Sequence, residues 1–192
     1  MQQATSYYPT FITTLISLSS WQQKLLATSI ATLVLAIAAN ISIPTYPVPF
    51  TLQSLVVLLV GAFLGRKLAM IAVLQYLFLG AIGFPVFASK AGITALLSPT
   101  VGYLLGYIAS AYIAGFAAEK GYDRQFIKGL IAFALAHQVI FVFGVIYLAI
   151  YFKISFIDAF KIGYLPFIGF DLLKFSLATM IMFMLWRYRA NK

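Results

Sequence analysis

Long apolar stretches dominate this chain, and short segments rich in polar residues, glycine or proline separate them. A helix needs about 20 mostly apolar residues to cross the hydrocarbon core of a bilayer. The second and third stretches are short for a full crossing, which predicts that they tilt or rest against neighbouring protein. The pattern therefore predicts six membrane-spanning helices, at about Lys24–Ile43, Thr51–Leu64, Leu68–Gly83, Val101–Ala118, Phe126–Phe152 and Leu165–Trp186.

The segments between these stretches differ in kind. Residues 1–22 are polar and aromatic, which predicts an interfacial lead-in, and residues 23–192 then form one six-helix domain. Pro44, Pro47 and Pro49 lack backbone N–H donors, so the first loop is predicted to be extended and not helical. The stretch Val86–Thr100 is mixed in character and is interpreted as an ordered loop or half-helix.

Composition identifies the solvent of this chain as lipid. Hydrophobic residues make up 63% of the 192 residues and charged residues only 9%, against about 25% charged in soluble proteins. The net charge of +9 would suggest nucleic-acid binding in a soluble protein. Here the basic residues lie in short clusters between apolar runs, and no basic-aromatic stripe is present. A nucleic-acid partner is therefore not expected.

The distribution of Lys and Arg predicts the orientation. With six spans both termini lie on one side, and that side collects nine basic residues against three on the other. Basic residues are enriched in cytoplasmic loops, so both termini are predicted to be cytoplasmic in a bacterial inner or plasma membrane. The nine are Lys24, Arg66, Lys67, Lys120, Arg124, Lys128, Arg187, Arg189 and Lys192.

Two charged residues, Asp171 and Lys174, lie within the sixth predicted span, near its outer end. A charge at the centre of a span costs roughly 2.5–3.5 kcal/mol on insertion scales, so such residues are functional candidates. At positions i and i+3 they share one helix face. Two interpretations are open: an ion pair that locks helices together, or the polar floor of an outward-facing cavity. In a cavity, the Asp171 acceptors and Lys174 donors would suit a ligand with N–H donors and an anion.

Other polar residues carry weaker signals. Gln53 begins the second span beside the proline-rich loop, where anchoring of that loop and contact with a ligand are both open. His137 lies mid-way along the fifth span and is interpreted as a hydrogen-bonded packing residue and not as a proton relay. Without cysteine or a second histidine, neither a metal site nor a cofactor is expected.

Aromatic residues make up 17% of the chain, more than interfacial belts require. Those of the outer third form either a belt or the lining of a pocket for a flat, partly apolar ligand. These candidates are Tyr46, Phe50, Phe84, Phe87, Tyr103 and Tyr164.

Small residues mark places where helices pack closely. Gly102, Gly106 and Ser110 follow one another at four-residue spacing on the fourth span. This ridge of small residues predicts internal helix packing. Ala27 and Ala31 form a similar pair on the first span. For that pair, packing within the chain and contact with a partner protein are both open.

Four stretches, in this order and on one predicted face of the membrane, resemble the BioY family, the biotin-binding S components of energy-coupling-factor (ECF) transporters. Each stretch by itself is a weak motif, but the four together at this spacing are specific. They are Ile41–Pro44 leading into Pro47–Gln53, then Leu79–Ala88, then Ser98–Leu104, and last Pro166–Lys174.

The resemblance implies an S-component-like, all-α bundle of six transmembrane helices that captures biotin outside, with the proline-rich loop as a lid. It implies partnership with a scaffold protein and two ATPases, with Ala27 and Ala31 at the scaffold contact. We expect Asp171 to accept a ureido N–H of biotin and Lys174 to pair with a carbonyl or carboxylate oxygen. The expected ligand contacts are Asp171, Lys174, Gln53, Tyr103, Phe87, Lys90 and Tyr46.

The chain departs from the family pattern at Ser89–Gly92, where a glycine-rich run is usual and Lys90 adds a charge. Alternative functions remain at this point: an S component for another vitamin, a solitary biotin transporter without the ATPase module, or a passive channel. An enzyme is not expected, because no nucleophile–base pair or metal cluster lies on one face.

Overall fold

The computed structural model describes residues 7–88 and 93–191, and within these residues it is almost entirely helical. Six helices correspond to the six predicted spans, which confirms the predicted fold class. A seventh, α6, occupies the connection after the fifth span and was not predicted. The helices are α1 (Trp21–Asn40), α2 (Gln53–Leu64), α3 (Arg66–Ala81), α4 (Val101–Glu119), α5 (Phe126–Phe152), α6 (Phe156–Gly163) and α7 (Ile168–Ala190).

The helix lengths agree with a membrane protein. Among the described residues, four helical segments are long and apolar enough to cross a bilayer, the last of which joins α6 and α7. The twelve residues of α2 span only about 18 Å and the sixteen of α3 about 24 Å. These two helices meet end to end at Gly65, whose φ of +80° lies in the region that favours glycine. The prediction that both are short is confirmed.

The ends of the helices follow local chemistry. Ser20 caps α1, since its hydroxyl accepts the Gln23 backbone N–H while the Gln23 side chain accepts the Ser20 N–H, a capping box. Ser155 caps α6 by accepting the backbone N–H of Asp158 at 3.1 Å. Lys153, with φ of +54°, ends α5 and turns the chain into α6.

The proline-rich loop is a β-hairpin. Strands β1 (Ser42–Ile43) and β2 (Phe50–Thr51) pair antiparallel, with Ser42 opposite Thr51. The prolines lie between the strands, where no ladder hydrogen bond needs their missing N–H. We call this end of the bundle, with the hairpin, the 93–97 turn and α6, the hairpin end.

The bundle packs around α4, which contacts α2, α3 and α5. A Cβ at Gly106 would lie 2.8 Å from the Cα of Ile140, and one at Gly61 would lie 2.7 Å from the Cβ of Ala114. Only hydrogen at these positions allows the backbones of α4 and its neighbours to approach this closely. The predicted ridge of small residues on the fourth span is therefore an internal packing surface.

The opposite end of the bundle, which we call the basic end, carries the first and last of the described residues. There the N-terminal segment crosses the helix ends: the Tyr8 N–H donates to the Glu119 carbonyl at 2.8 Å, and Arg124 donates to the Pro9 carbonyl at 2.8 Å. Phe11 is buried, with ring contacts to Phe63 and Trp186. Within the described part of the predicted 1–22 lead-in, the structure has a 3-10 turn at Ile12–Thr14, and α1 already begins at Trp21.

Asp123, in the 3-10 turn Tyr122–Arg124 at the basic end, carries a testable pH dependence. Its carboxylate is 1% exposed and accepts the Trp186 indole N–H at 2.6 Å. Burial raises the pKa of Asp123 from 3.8 to about 6. The folded protein therefore binds this proton more tightly than the unfolded chain, and its stability rises as the pH falls from about 6 to about 4.

We expect Asp123→Asn to remove this dependence, because the amide oxygen still accepts from Trp186 but does not titrate. Two pKa units correspond to about 3 kcal/mol, so wild type should gain up to that amount relative to the variant between pH 7.5 and pH 4. Thermal unfolding of both proteins in detergent across this range measures the difference. Parallel curves for the two proteins would contradict the assignment.

Candidate ligand-binding site

A cavity of about 290 Å³ opens at the hairpin end. Its walls come from the hairpin loop, the start of α2, the segment after α3, the 93–97 turn and one face of α4. The lining is aromatic and aliphatic with a few hydroxyl and amide groups, as is usual for small-molecule sites. The lining residues are Val48, Pro49, Thr51, Gln53, Phe87, Ala88, Thr94, Ala95, Ser98, Thr100, Tyr103, Leu104 and Tyr107.

Gln53 is the buried amide of this cavity, with 3% of its surface exposed. Its side-chain nitrogen donates to the Tyr76 hydroxyl at 2.7 Å, and its oxygen accepts from the Thr51 hydroxyl at 3.3 Å. Tyr76 in turn donates to the carbonyl of Val86 at 3.2 Å. The amide nitrogen carries two hydrogens, and one N–H of Gln53 has no partner among the described residues. Gln53 therefore both anchors the surrounding segments and contributes to the cavity wall.

Tyr103 and Phe87 form aromatic walls. The Tyr103 hydroxyl donates to the Gly163 carbonyl at 2.7 Å, so this group fastens α4 to the end of α6 and leaves the ring facing the cavity. Phe87 is 2% exposed and meets the Tyr76 ring edge-on at 5.2 Å. It also packs on Gly80, where an added Cβ would lie 2.0 Å from the Phe87 ring. The predicted contacts Gln53, Tyr103 and Phe87 are thus brought together in one cavity.

The Asp171–Lys174 pair lies elsewhere. Lys174 Nζ is 3.4 Å from Asp171 Oδ1, and both residues are buried. Neither lines the larger cavity; Lys174 instead lines a second one of about 220 Å³, together with Phe50, Thr51 and Phe170. Thr51 belongs to both cavities, so β2 lies at their boundary. The pair is therefore not part of the cavity that Gln53, Tyr103 and Phe87 line, and its role as the polar floor of an outward-facing cavity stays a prediction, as does its contact with a ligand.

His137 adjoins this pair, with its Nε2 atom 3.6 Å from Asp171 Oδ1. The sequence placed His137 mid-membrane and Asp171 near the outer end, so their contact was not predicted. His137 precedes the end of α5 by 15 residues, or about 22 Å along the helix. Because Asp171 contacts His137, it packs against the middle of α5 and not against the end of that helix. The interpretation of His137 as a hydrogen-bonded packing residue is wrong in this structure, since neither ring nitrogen has a hydrogen-bond partner among the described residues.

The two remaining predicted ligand contacts are Tyr46 and Lys90. Tyr46 is 84% exposed at the hairpin tip, touching the Phe152 ring edge-on at 6.2 Å, and does not line the cavity. Lys90 and the rest of the Ser89–Gly92 segment lie outside the described residues. Of the other outer aromatic residues, Phe50 stacks on Phe167 at 4.2 Å, whereas Phe84 is exposed. The aromatic set is therefore partly pocket or core and partly surface.

Sequence reasoning missed Tyr76 and Tyr107. Tyr107 follows Tyr103 by four residues, so the two share one face of α4, and this spacing was a usable signal. Tyr76 lies far from Gln53 in sequence, and only the packing of α3 on α2 reveals their hydrogen bond. Within residues 7–88 and 93–191, no three His, Cys, Asp or Glu side chains come close enough to hold a metal ion.

Ala27 and Ala31 are each 8% exposed and belong to the hydrophobic core of the chain. Directly after Ala31, the Thr32 hydroxyl donates to the Ala72 carbonyl of α3 at 2.8 Å. The pair therefore takes part in packing within the chain. Contact with a partner protein stays a prediction.

The fold and the cavity define an all-α membrane protein with a small-molecule-sized cavity at one end of its bundle. The structure resembles the crystal structure of the S-component for biotin from an ECF-type ABC transporter, with a TM-score of 0.78 and 26% identity over 90% of this chain and 95% of that one. The model of the BioY family matches residues 11–191. The chain belongs to the BioY family.

Named relatives agree with this assignment. The biotin transporter BioY of Thermotoga maritima is 39% identical over 160 residues, covering 83% of this chain and 93% of the relative. The probable biotin transporter BioY of Pyrococcus horikoshii is 38% identical over 147 residues, covering 76% and 85%. The family is one of transporters, which confirms the expectation that the chain is not an enzyme.

Proposed function

We propose that this chain is the biotin-binding membrane subunit of a vitamin uptake system and captures biotin at the hairpin end. The cavity lined by Gln53, Tyr103 and Phe87 carries this proposal, because it combines aromatic walls with a free amide N–H at one end of an apolar bundle. Its volume of about 290 Å³ lies at the lower limit for clefts that enclose small ligands. The similarity to biotin transporters supports the choice of ligand.

Biotin offers features that match both neighbouring cavities. Its fused rings are compact and partly apolar, its ureido group carries two N–H donors and a carbonyl, and its tail ends in a carboxylate. The aromatic walls suit the rings. The Asp171 oxygen without a partner in the described part of the chain suits a ureido N–H, and Lys174 suits an oxygen of biotin. For one ligand to reach both sets of residues, β2 with Phe50 and Thr51 must shift, so that the two cavities join. The hairpin would then act as the lid.

We place the hairpin end outside the cell and the basic end in the cytoplasm. Support comes from the nine basic residues predicted on the terminal side against three on the other. Arg66 and Lys120 at the basic end also lie over the ring of Tyr7, as expected of residues at a membrane surface. Capture of biotin would then take place from the external medium.

Release of biotin into the cytoplasm would need an external source of energy. The sequence has no Walker A loop, so we do not expect this chain to hydrolyse ATP. We propose partnership with a scaffold protein and two ATPases, supported by the likeness to an S-component of an ECF-type transporter. An S component for another vitamin and a solitary biotin transporter are the alternatives.

The test is a titration of the purified full-length protein in detergent with radiolabelled biotin. We expect saturable binding of one biotin per chain that excess unlabelled biotin displaces and that thiamine and riboflavin do not. Loss of label during washing, or equal displacement by thiamine or riboflavin, would overturn the assignment. Binding by the isolated chain separates ligand capture from any later step that depends on ATPases.

A further inference from the structure

His137 is a buried imidazole that ordinary packing does not explain. It is 0% exposed, and neither of its ring nitrogens has a hydrogen-bond partner among the described residues. Buried polar atoms without partners carry a desolvation penalty, and an apolar side chain of the same size would avoid it. The presence of a histidine at this position, and not an apolar residue, therefore needs an explanation.

The surroundings of His137 fix the direction of its ring. The Phe141 ring lies nearly parallel to it, at 5.6 Å and 29°, and the Phe175 ring meets it edge-on at 6.1 Å. These contacts hold the imidazole between α5 and α7 with Nε2 towards Asp171 Oδ1, 3.6 Å away. That distance is slightly longer than a hydrogen bond and would close with a small movement of either helix.

The two oxygens of Asp171 differ in their environment. Oδ1 lies between two donors, Lys174 Nζ at 3.4 Å and His137 Nε2 at 3.6 Å. Oδ2 is buried and has no hydrogen-bond partner within residues 7–88 and 93–191. Lys174 and His137 both lie on the side of Oδ1, so Oδ2 is the oxygen left to accept from a ligand.

We propose that His137 is a positioning residue for Asp171, and that it orients the carboxylate so that Oδ2 alone accepts an N–H of the ligand. This rests on the proposed function, in which that N–H belongs to the ureido group of biotin. The imidazole carries its proton on Nε2 and acts through Asp171, without touching biotin. The effect is one of preorganisation: a carboxylate that cannot rotate loses less freedom when the ligand binds.

The proposal makes His137 and Asp171 one functional unit, which a double-mutant cycle detects. We expect His137→Phe to weaken biotin binding about tenfold in the wild-type background, since the ring remains but its donor is lost. In the Asp171→Asn background the same change should weaken binding less than twofold. His137→Gln, which keeps an N–H donor, should bind within about threefold of wild type.

The neighbouring residue supplies the matched control. Gln138 is half-buried and lines a separate groove between α5 and α6, with Val142 and Phe156. Gln138→Leu should leave biotin affinity unchanged. Thermal unfolding and gel filtration in detergent show that each variant is folded; if His137→Phe does not fold, His137→Leu replaces it in the cycle.

The outcomes separate the two claims. If wild-type protein does not bind biotin, the proposed function and this inference both fail. If wild type binds, equal losses from His137→Phe in both backgrounds would show an independent structural role and overturn the inference alone. Unchanged binding by His137→Phe, or a loss in His137→Gln as large as that in His137→Phe, would overturn it as well.

Discussion

Replacing Asp171 with asparagine should lower the affinity for biotin by about 10- to 150-fold. A hydrogen bond to a charged group contributes roughly 1.5–3 kcal/mol, and each 1.4 kcal/mol is a factor of ten. The substitution removes the charge but keeps the size of the side chain. It also leaves Lys174 buried without its counter-charge, so part of the loss will come from that unpaired ammonium group. The measurement is a biotin titration of the purified variant beside wild type.

The chain contains a matched control for this experiment. Asp158 and Lys161 form an ion pair at the same i, i+3 spacing, at 3.7 Å, but their side chains are 57% and 60% exposed on α6. Such exposed pairs contribute little, so Asp158→Asn should not change biotin affinity. An unchanged affinity in Asp171→Asn, or an equal loss in Asp158→Asn, would remove Asp171 from the binding site.

Replacing Gly106 with leucine should prevent correct assembly of the bundle. The new Cβ would lie 2.8 Å from the Cα and 2.9 Å from the carbonyl oxygen of Ile140, which are backbone atoms that no rotamer change can move. Overpacking costs about 1–3 kcal/mol where side chains can adjust, and a contact with backbone should exceed that. We expect little monodisperse protein after detergent extraction and a markedly lower midpoint of thermal unfolding.

Gly169 provides the comparison for Gly106. It lies in the first turn of α7, and a Cβ added there would meet nothing within 4 Å. Gly169→Leu should therefore give wild-type yield and thermal stability. If Gly106→Leu behaves like Gly169→Leu, the close approach of α4 and α5 at Ile140 is not a requirement of the fold.

The residues of the proposed binding site are divided between two cavities that meet at Thr51. This division gives the hairpin a specific task in the proposed function: β2 must move for Gln53 on one side and Lys174 on the other to contact the same ligand. Phe50 would take part in that movement, since it stacks on Phe167 at 4.2 Å and tilts against Phe170 at 5.2 Å. These two ring contacts hold β2 against the 3-10 turn Leu165–Phe167 and the start of α7 in this structure.

The sequence by itself determined the class of the protein and most of its helices. Lipid as solvent imposes long apolar runs, and this requirement is local, so Phe126–Phe152 was predicted with the bounds it has in the structure. The small residues of α4 were also recognisable, because close helix packing in a membrane depends on side-chain size at fixed spacing. The four family stretches were recognisable too, because each of them is a continuous run of residues in the sequence.

Only the tertiary structure decided which polar groups meet. Gln53 and Tyr76 are 23 residues apart and His137 and Asp171 are 34 apart, and no periodicity connects positions on different helices. The short helix α6 escaped prediction because eight amphipathic residues at a surface give no membrane-spanning signal. The packing of α7 on α5 brings Asp171 against His137, and Asp171 does not line the cavity of Gln53, Tyr103 and Phe87. Both facts depend on how distant helices pack, which local sequence does not encode.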